Sequence, residues 1–250
     1  MRIKIQLRSN KSIYLPVNYN HHIQGFIYNY MGEEAGWLHD EGYKYENRNF
    51  KLFCFSAILQ KARYIKNKGM FKFPKKISFI VTSPKQWILQ DFSSKLISKE
   101  EVSLWHNRLS IEAISVFKED EFDLESIKVK AISPIEVHST FPSQLGKQKT
   151  YYYSPFEDEF STLINQNMKK KWFANYNTEC DYDIGIKPLF KDRDKETIIN
   201  YGPDDEQFVV KGWKGKYRLS GDPKILQFAL DAGLGSKNSQ GFGCIERINS

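Results

Sequence analysis

The order of apolar patterns along the chain constrains its fold more than any single motif. At the start, Ile3, Ile5 and Leu7 alternate with Arg2, Lys4, Gln6 and Arg8, which describes a strand with one apolar and one basic face. Ile23, Phe26, Ile27, Tyr30 and Met31 then fall at the spacing of an amphipathic helix. "KLFCFSAIL" from Lys51 and "KISFIVTS" from Lys76 read as buried strands on either side of a polar, basic stretch. Pro84 to Ile97 reads as a helix and "LSIEAISVF" from Leu109 as a strand. The order is β-α-β-β-α-β, and it then begins again. "IKVKAISPIEVHS" from Ile127 is a strand, Phe156 to Tyr176 a long helix, and "YDIGIKPLF" and "EQFVVKGWKGKYRLS" are strands, with Gly212 and Gly215 marking a bulge or bend in the latter. Asp222-Pro223 supplies an N-cap and a first-turn proline for a helix whose C-terminus suits Gly233, and "GFGCIERI" closes the series as a strand.

Twice this order is the pattern of two tandem ferredoxin-like (RRM-like) βαββαβ domains, an α+β chain. The boundary is expected near the acidic stretch "KEDEFDLES", giving domains 1–122 and 123–250. Sheets of this kind commonly serve as RNA platforms, although a fold alone fixes no function. The bulk properties agree with a polyanionic partner: net charge is +7 and aromatic residues make up 15% of the chain. The three cysteines, Cys54, Cys180 and Cys244, form no Cys-x-x-Cys pair, so no structural metal is expected, and a reducing cytoplasm is the natural compartment. The N-terminus reads as a strand and not a signal peptide, and no 18-residue apolar run is present to span a membrane.

"AGLGSKNSQGFGCIE", residues 232–246, places Gly233, Gly235, Gly241 and Gly243 around a short polar centre of Ser236, Lys237, Asn238 and Ser239. Dinucleotide loops read G-x-G-x-x-G, follow a strand and open a helix. Here the third glycine of that fingerprint would be Asn238, the loop follows a helix and enters a strand, and no G-x-x-x-x-G-K-[ST] occurs anywhere. A nucleotide cofactor is therefore not expected. What remains is a permissive backbone able to lie against a polyanion or to pack closely on a neighbouring domain.

"GLGSKNSQGFG", between the last helix and the last strand of such a tandem, resembles the glycine-rich signature of the CRISPR-associated endoribonucleases that cut repeat RNA. "LPVNYNHHIQGFIYNYM" resembles that family's first helix, and "LHDEGY" followed by "KLFCFS" the segment leading into its second strand. The matches span residues 15–56 and 221–246. The resemblance implies metal-independent cleavage of precursor RNA within repeats, by attack of the 2′-hydroxyl beside the scissile phosphate. The implied ends are a 2′,3′-cyclic phosphate and a 5′-hydroxyl. Non-catalytic RNA-binding subunits of interference complexes share the fold and the loop, and are the alternative. The family's Tyr, His and Lys map onto Tyr28 of "IYN", His39 of "LHDEG" and Lys51 of "KLFCFS", with Lys44 and Arg48 as other sources of positive charge. Helical spacing puts Tyr28 about 130° from the centre of the apolar stripe, on a flank where its hydroxyl can reach a ligand. Histidine, with an ordinary pKa of about 6.5, suits acid–base work at neutral pH. Either Tyr28 or His39 could be the base. His21 and His22, at the helix start, are further candidates, whereas His106 and His138 read as structural.

RNA binding is expected from Gly233, Gly235, Ser236, Lys237, Asn238, Gly241 and Gly243 of the loop. It is also expected from Lys61, Arg63, Lys66 and Lys68 in the acid-free stretch "KARYIKNKGMFKFPKK". "KKKW" at 169–172 reads as a helix end. Expected partners are CRISPR repeat RNA and precursor guide RNA, with subunits of an interference complex and a second copy of the chain also open, and no cofactor.

Overall fold

A computed structural model describes residues 1–117, 122–142, 148–191, 195–203 and 207–248. Residues 118–121 of the expected linker lie outside the described residues.

The first half begins with β1 (Arg2–Arg8), β2 (Ile13–Pro16), α1 (Tyr19–Asn29) and α2 (Ala35–Asp40). A small hairpin, β3 (Tyr43–Tyr45) and β4 (Arg48–Phe50), leads to β5 (Cys54–Phe55). Then come β6 (Arg63–Ile65), β7 (Met70–Phe73), β8 (Lys76–Thr82), α3 (Gln86–Ile97), β9 (Val102–Leu104) and β10 (Asn107–Phe117). The main sheet runs β5-β8-β1-β10-β9, with β1 antiparallel to both its neighbours. Ile3, Ile5 and Leu7 are fully buried, as the alternation requires, beneath Ile23, Phe26 and Ile27 of α1 and Ile88, Leu89, Phe92 and Leu96 of α3.

The second half contains β11 (Ser126–Ile135), β12 (His138–Pro142), β13 (Gln148–Tyr152), α4 (Asp158–Tyr176) and β14 (Ile184–Pro188). β15 (Glu196–Tyr201), β16 (Phe208–Gly221), α5 (Pro223–Ala232) and β17 (Ile245–Arg247) complete it. Its sheet runs β14-β16-β11-β17, with β15 added on β16. Taking β1-α1-β5-β8-α3-β10 and β11-α4-β14-β16-α5-β17, the chain is two ferredoxin-like units in tandem. Asp222 caps α5 by accepting from the Lys224 N–H at 2.8 Å, and the β11–β16 register shifts opposite Gly215, where the bulge was expected.

Three segments depart from the sequence pattern. The Lys51 run pairs as a strand only at Cys54–Phe55, because Leu52 takes a positive φ and the next N–H groups turn elsewhere. Ser56 N–H donates to Ile80, but Ala57 N–H crosses to Ile132 of the second half, at 3.1 Å. The run from Ile127 is two strands, separated at Glu136 and Val137. The basic stretch from Lys61, given no element from its sequence, forms the hairpin β6–β7, which pairs with β2 through β7.

The halves share a seam. Cys54, Ile80, Ile132 and Cys244 pack together, the buried Arg2 guanidinium donates to Ile245 O at 2.6 Å, and the N-terminal ammonium meets Asp231 at 2.7 Å. The site described next opens on this seam.

Candidate active site

Leu38 of α2 is fully buried and anchors that short helix to the first core, so its neighbour His39 is turned outward, with 61% of its side chain exposed. His39 lies in the last turn of α2. Its Nδ1 is 2.8 Å from Asp40 Oδ1, which leaves Nε2 for a substrate. The ring stands edge-on to Tyr28 of α1, centroids 4.9 Å apart, and Tyr28 stands in turn against Phe53 at 5.6 Å. Tyr28 is half-buried, and its hydroxyl is hydrogen-bonded to Ser239 of the glycine loop. Burial pushes the phenol well above its ordinary pKa despite that hydrogen bond, and Asp40 adds to the rise. At neutral pH Tyr28 is a neutral hydroxyl.

Lys51 follows β4 and packs along Gly42, just past the end of α2. Burial lowers its ammonium from the ordinary value, against the pull of Asp40 and Glu41. Lys44 is tied to Glu41 at 3.2 Å on the surface, whereas Arg48 lines the same cleft as Lys51. That cleft, of about 430 Å³, lies between the Arg48–Phe53 segment, α4 and the loop residues Gly235 to Gln240. Among the described residues, no acidic side chain lines it. Among the described residues, no three His, Cys, Asp or Glu side chains gather as a metal site.

The glycine loop divides into two kinds of residue. Ser236, Lys237, Asn238, Ser239 and Gln240 are half-exposed and face the cleft. Gly233, Gly235, Gly241 and Gly243 are buried at positive φ. Three of their N–H groups are taken up within the protein, contrary to the open-backbone expectation: Gly233 donates to Ala229, Gly241 to Asn238 and Gly243 to Pro134. At Gly235 the reason for glycine is plain, since a Cβ would lie 2.1 Å from Glu136 O at φ +67°. Gly235→Val combines an impossible contact with a strained backbone, each costing about 1–3 kcal/mol. Thermal unfolding should show a melting temperature lowered by about 5–10 °C, whereas Gly25→Ala, with nothing within 4 Å of its Cβ, should leave it near the wild-type value.

One side chain in the cleft was misread from sequence, and another, His138, does more than its structural reading stated. Lys171 does not end a helix. α4 continues to Tyr176, and Lys171 is 2% exposed, its Nζ donating to Gly233 O and Gly235 O at 2.8 Å each. Burial lowers its ammonium to about 7, against Cys54 and Glu136. The signal was present: Phe160, Ile164, Asn167 and Lys171 share one helical stripe. His138 was read as structural, yet it lines the cleft. It sits two residues from Glu136 in an extended segment, which puts both side chains on one side.

The remaining candidates lie elsewhere. His21 rests edge-on against Tyr201 and His22 against Trp105, about two turns of α1 from Tyr28. His106 stacks on Trp105, 4.1 Å away. Lys61, Arg63, Lys66 and Lys68 are exposed on and beside the β6–β7 hairpin, and none lines the cleft.

Comparison with known proteins agrees with this architecture. Residues 14–115 match the family described as CRISPR-associated protein Cas6, N-terminal, and residues 117–247 that described as CRISPR associated protein Cas6, C-terminal. The chain is 26% identical over 249 residues to CRISPR-associated endoribonuclease Cas6 1 of Methanocaldococcus jannaschii, covering 99% of this chain and 93% of that protein. It is 26% identical over 250 residues to CRISPR-associated endoribonuclease Cas6 of Pyrococcus furiosus, covering 98% and 89%. The solved structure of a Cas6-related protein from Pyrococcus furiosus superposes with a TM-score of 0.84 at 20% identity, covering 100% of this chain and 99% of that one. With both halves matched in order and the two ferredoxin-like units in place, the chain belongs to the Cas6 family of CRISPR-associated proteins.

Proposed function

We propose that this protein is an endoribonuclease that cuts CRISPR precursor RNA within its repeats, without a metal, and releases guide RNAs. An RNA-processing role of the Cas6 type is supported by relatives named as endoribonucleases along nearly the whole chain. The observation that carries the chemistry is the contact of Tyr28 with His39 beside a cleft lined by Lys51, with no acid among its described lining residues.

Cleavage by the RNA's own 2′-hydroxyl needs a base for that hydroxyl, a donor for the leaving 5′-oxygen and positive charge against the phosphorane. Tyr28, held neutral by burial, is unsuited as the base and acts as a hydrogen-bond donor that orients the phosphate. The 2′-hydroxyl proton goes to His39, whose ring Asp40 holds at Nδ1. The Lys51 ammonium opposes the phosphorane charge, and its lowered pKa lets it release a proton to the 5′-oxygen. Ser239, bonded to Tyr28, couples the glycine loop of the second half to the chemistry of the first. The test is incubation with repeat RNA in excess EDTA: cutting should persist and stay confined to the repeat.

A further inference from the structure

Two clefts meet beside the glycine loop. The first is the one Lys51 lines, and the second, also about 430 Å³, runs along β12 and α4 past Thr140, Phe141 and Lys170. Arg48, His138, Asn167 and Ser236 line both and so form the saddle between them. Among the described residues, no acidic side chain lines either cleft.

His138 is a built feature of that saddle. Glu136 is fully buried, and its Oε1 is 2.5 Å from His138 Nδ1. A carboxylate removed from water needs such a donor, so the ring is fixed with its Nδ1–H toward Glu136. The imidazole is still 26% exposed, which leaves the Nε2 edge for a ligand. Glu136 Oε2 and Asn167 Oδ1 are buried and without a hydrogen-bond partner among the described residues. A buried acceptor left unpaired is costly, and at a saddle between two clefts it suits a donor brought by a ligand. An oriented imidazole and a guanidinium in a groove with no acid among its described lining residues fit a phosphodiester, and Asn167 Oδ1, whose residue lines both clefts, fits a ribose hydroxyl.

We propose that the Arg48–His138 saddle holds a backbone phosphate flanking the scissile one, so that the RNA strand passes from the Lys51 cleft over the saddle into the β12–α4 cleft. This rests on the endoribonuclease reading, and it makes His138 a binding residue and not a proton-transfer group.

The test uses wild type, His138→Asn and the double variant Glu136→Gln with His138→Asn, against repeat RNAs that each carry one methylphosphonate. Asparagine keeps an N–H for Glu136 but lacks the Nε2 edge. The double variant also removes the buried charge, so instability of the single variant does not end the test. One flanking position is expected at which neutralising the phosphate weakens wild-type binding about tenfold, or about 1.4 kcal/mol. The variants should bind about tenfold more weakly than wild type, show no further loss at that position, and keep their rate at saturating RNA. A variant that loses rate at saturation but not affinity would make His138 a proton-transfer residue and overturn the proposal. Equal sensitivity of wild type and variants at every position would overturn it too. In both cases the wild type still cuts repeat RNA, and the endoribonuclease reading stands. A wild type that neither binds nor cuts repeat RNA brings both down.

Discussion

A repeat RNA with a single 2′-deoxy residue just upstream of the scissile phosphate is expected to bind as the unmodified RNA does and not to be cut. The substitution removes one hydroxyl and leaves every phosphate and base in place, so the charge contacts that dominate affinity survive. The nucleophile does not. No side chain of the site can replace it: Tyr28 is a neutral phenol hydrogen-bonded to Ser239, and His39 is positioned to move a proton. Binding by filter retention and cleavage by gel, on the same RNA, separate the two effects. Cutting of the deoxy RNA at the normal rate would mean that water attacks, and the roles of Tyr28 and His39 would fail together.

His39→Ala should slow cleavage at saturating RNA by about 10²–10⁴-fold, the span for a positioned general acid or base. Affinity should change little, because the side chain removed is exposed and is not among the residues that line the cationic cleft. Stability should also change little: His39 is largely solvent-exposed and its bond to Asp40 is a surface one. Tyr28→Phe is the companion measurement. It keeps the ring between His39 and Phe53 and deletes the hydroxyl, so any loss of rate reports on the oriented donor and not on packing. A silent His39→Ala would move the proton transfer elsewhere, and His138, which shares the cleft with Lys51, would be the first residue to examine.

The scaffold was legible because its elements obey simple periods. β1 alternates with period two, and α1, α3 and α5 carry continuous apolar stripes; each appeared within a few residues of its expected place. Elements decided by a partner surface were not legible. β5 shrinks to two residues because Ala57 donates to Ile132, more than seventy positions away. β17 starts only at Ile245 because Gly241 turns the backbone against Phe55 and Asn20 of the first half and Gly243 turns it against Leu234. The grouping of Tyr28, His39 and Lys51 came from family resemblance, since no local period links a helix flank, a six-residue helix and a segment after a hairpin. Glu136, His138 and Lys171 had local signals in their spacing. Composition masked Lys171, because a lysine in a basic run reads as a solvated helix end, and His138 read as a structural histidine of its strand.

The most direct measurement is of the ends of the RNA products formed in excess EDTA. A 5′-hydroxyl on one fragment and a 2′,3′-cyclic phosphate on the other are predicted, formed at a single position within the repeat at the same rate with and without chelator. Cleavage that stops in EDTA and returns with Mg²⁺, or fragments that carry a 5′-phosphate, would contradict it.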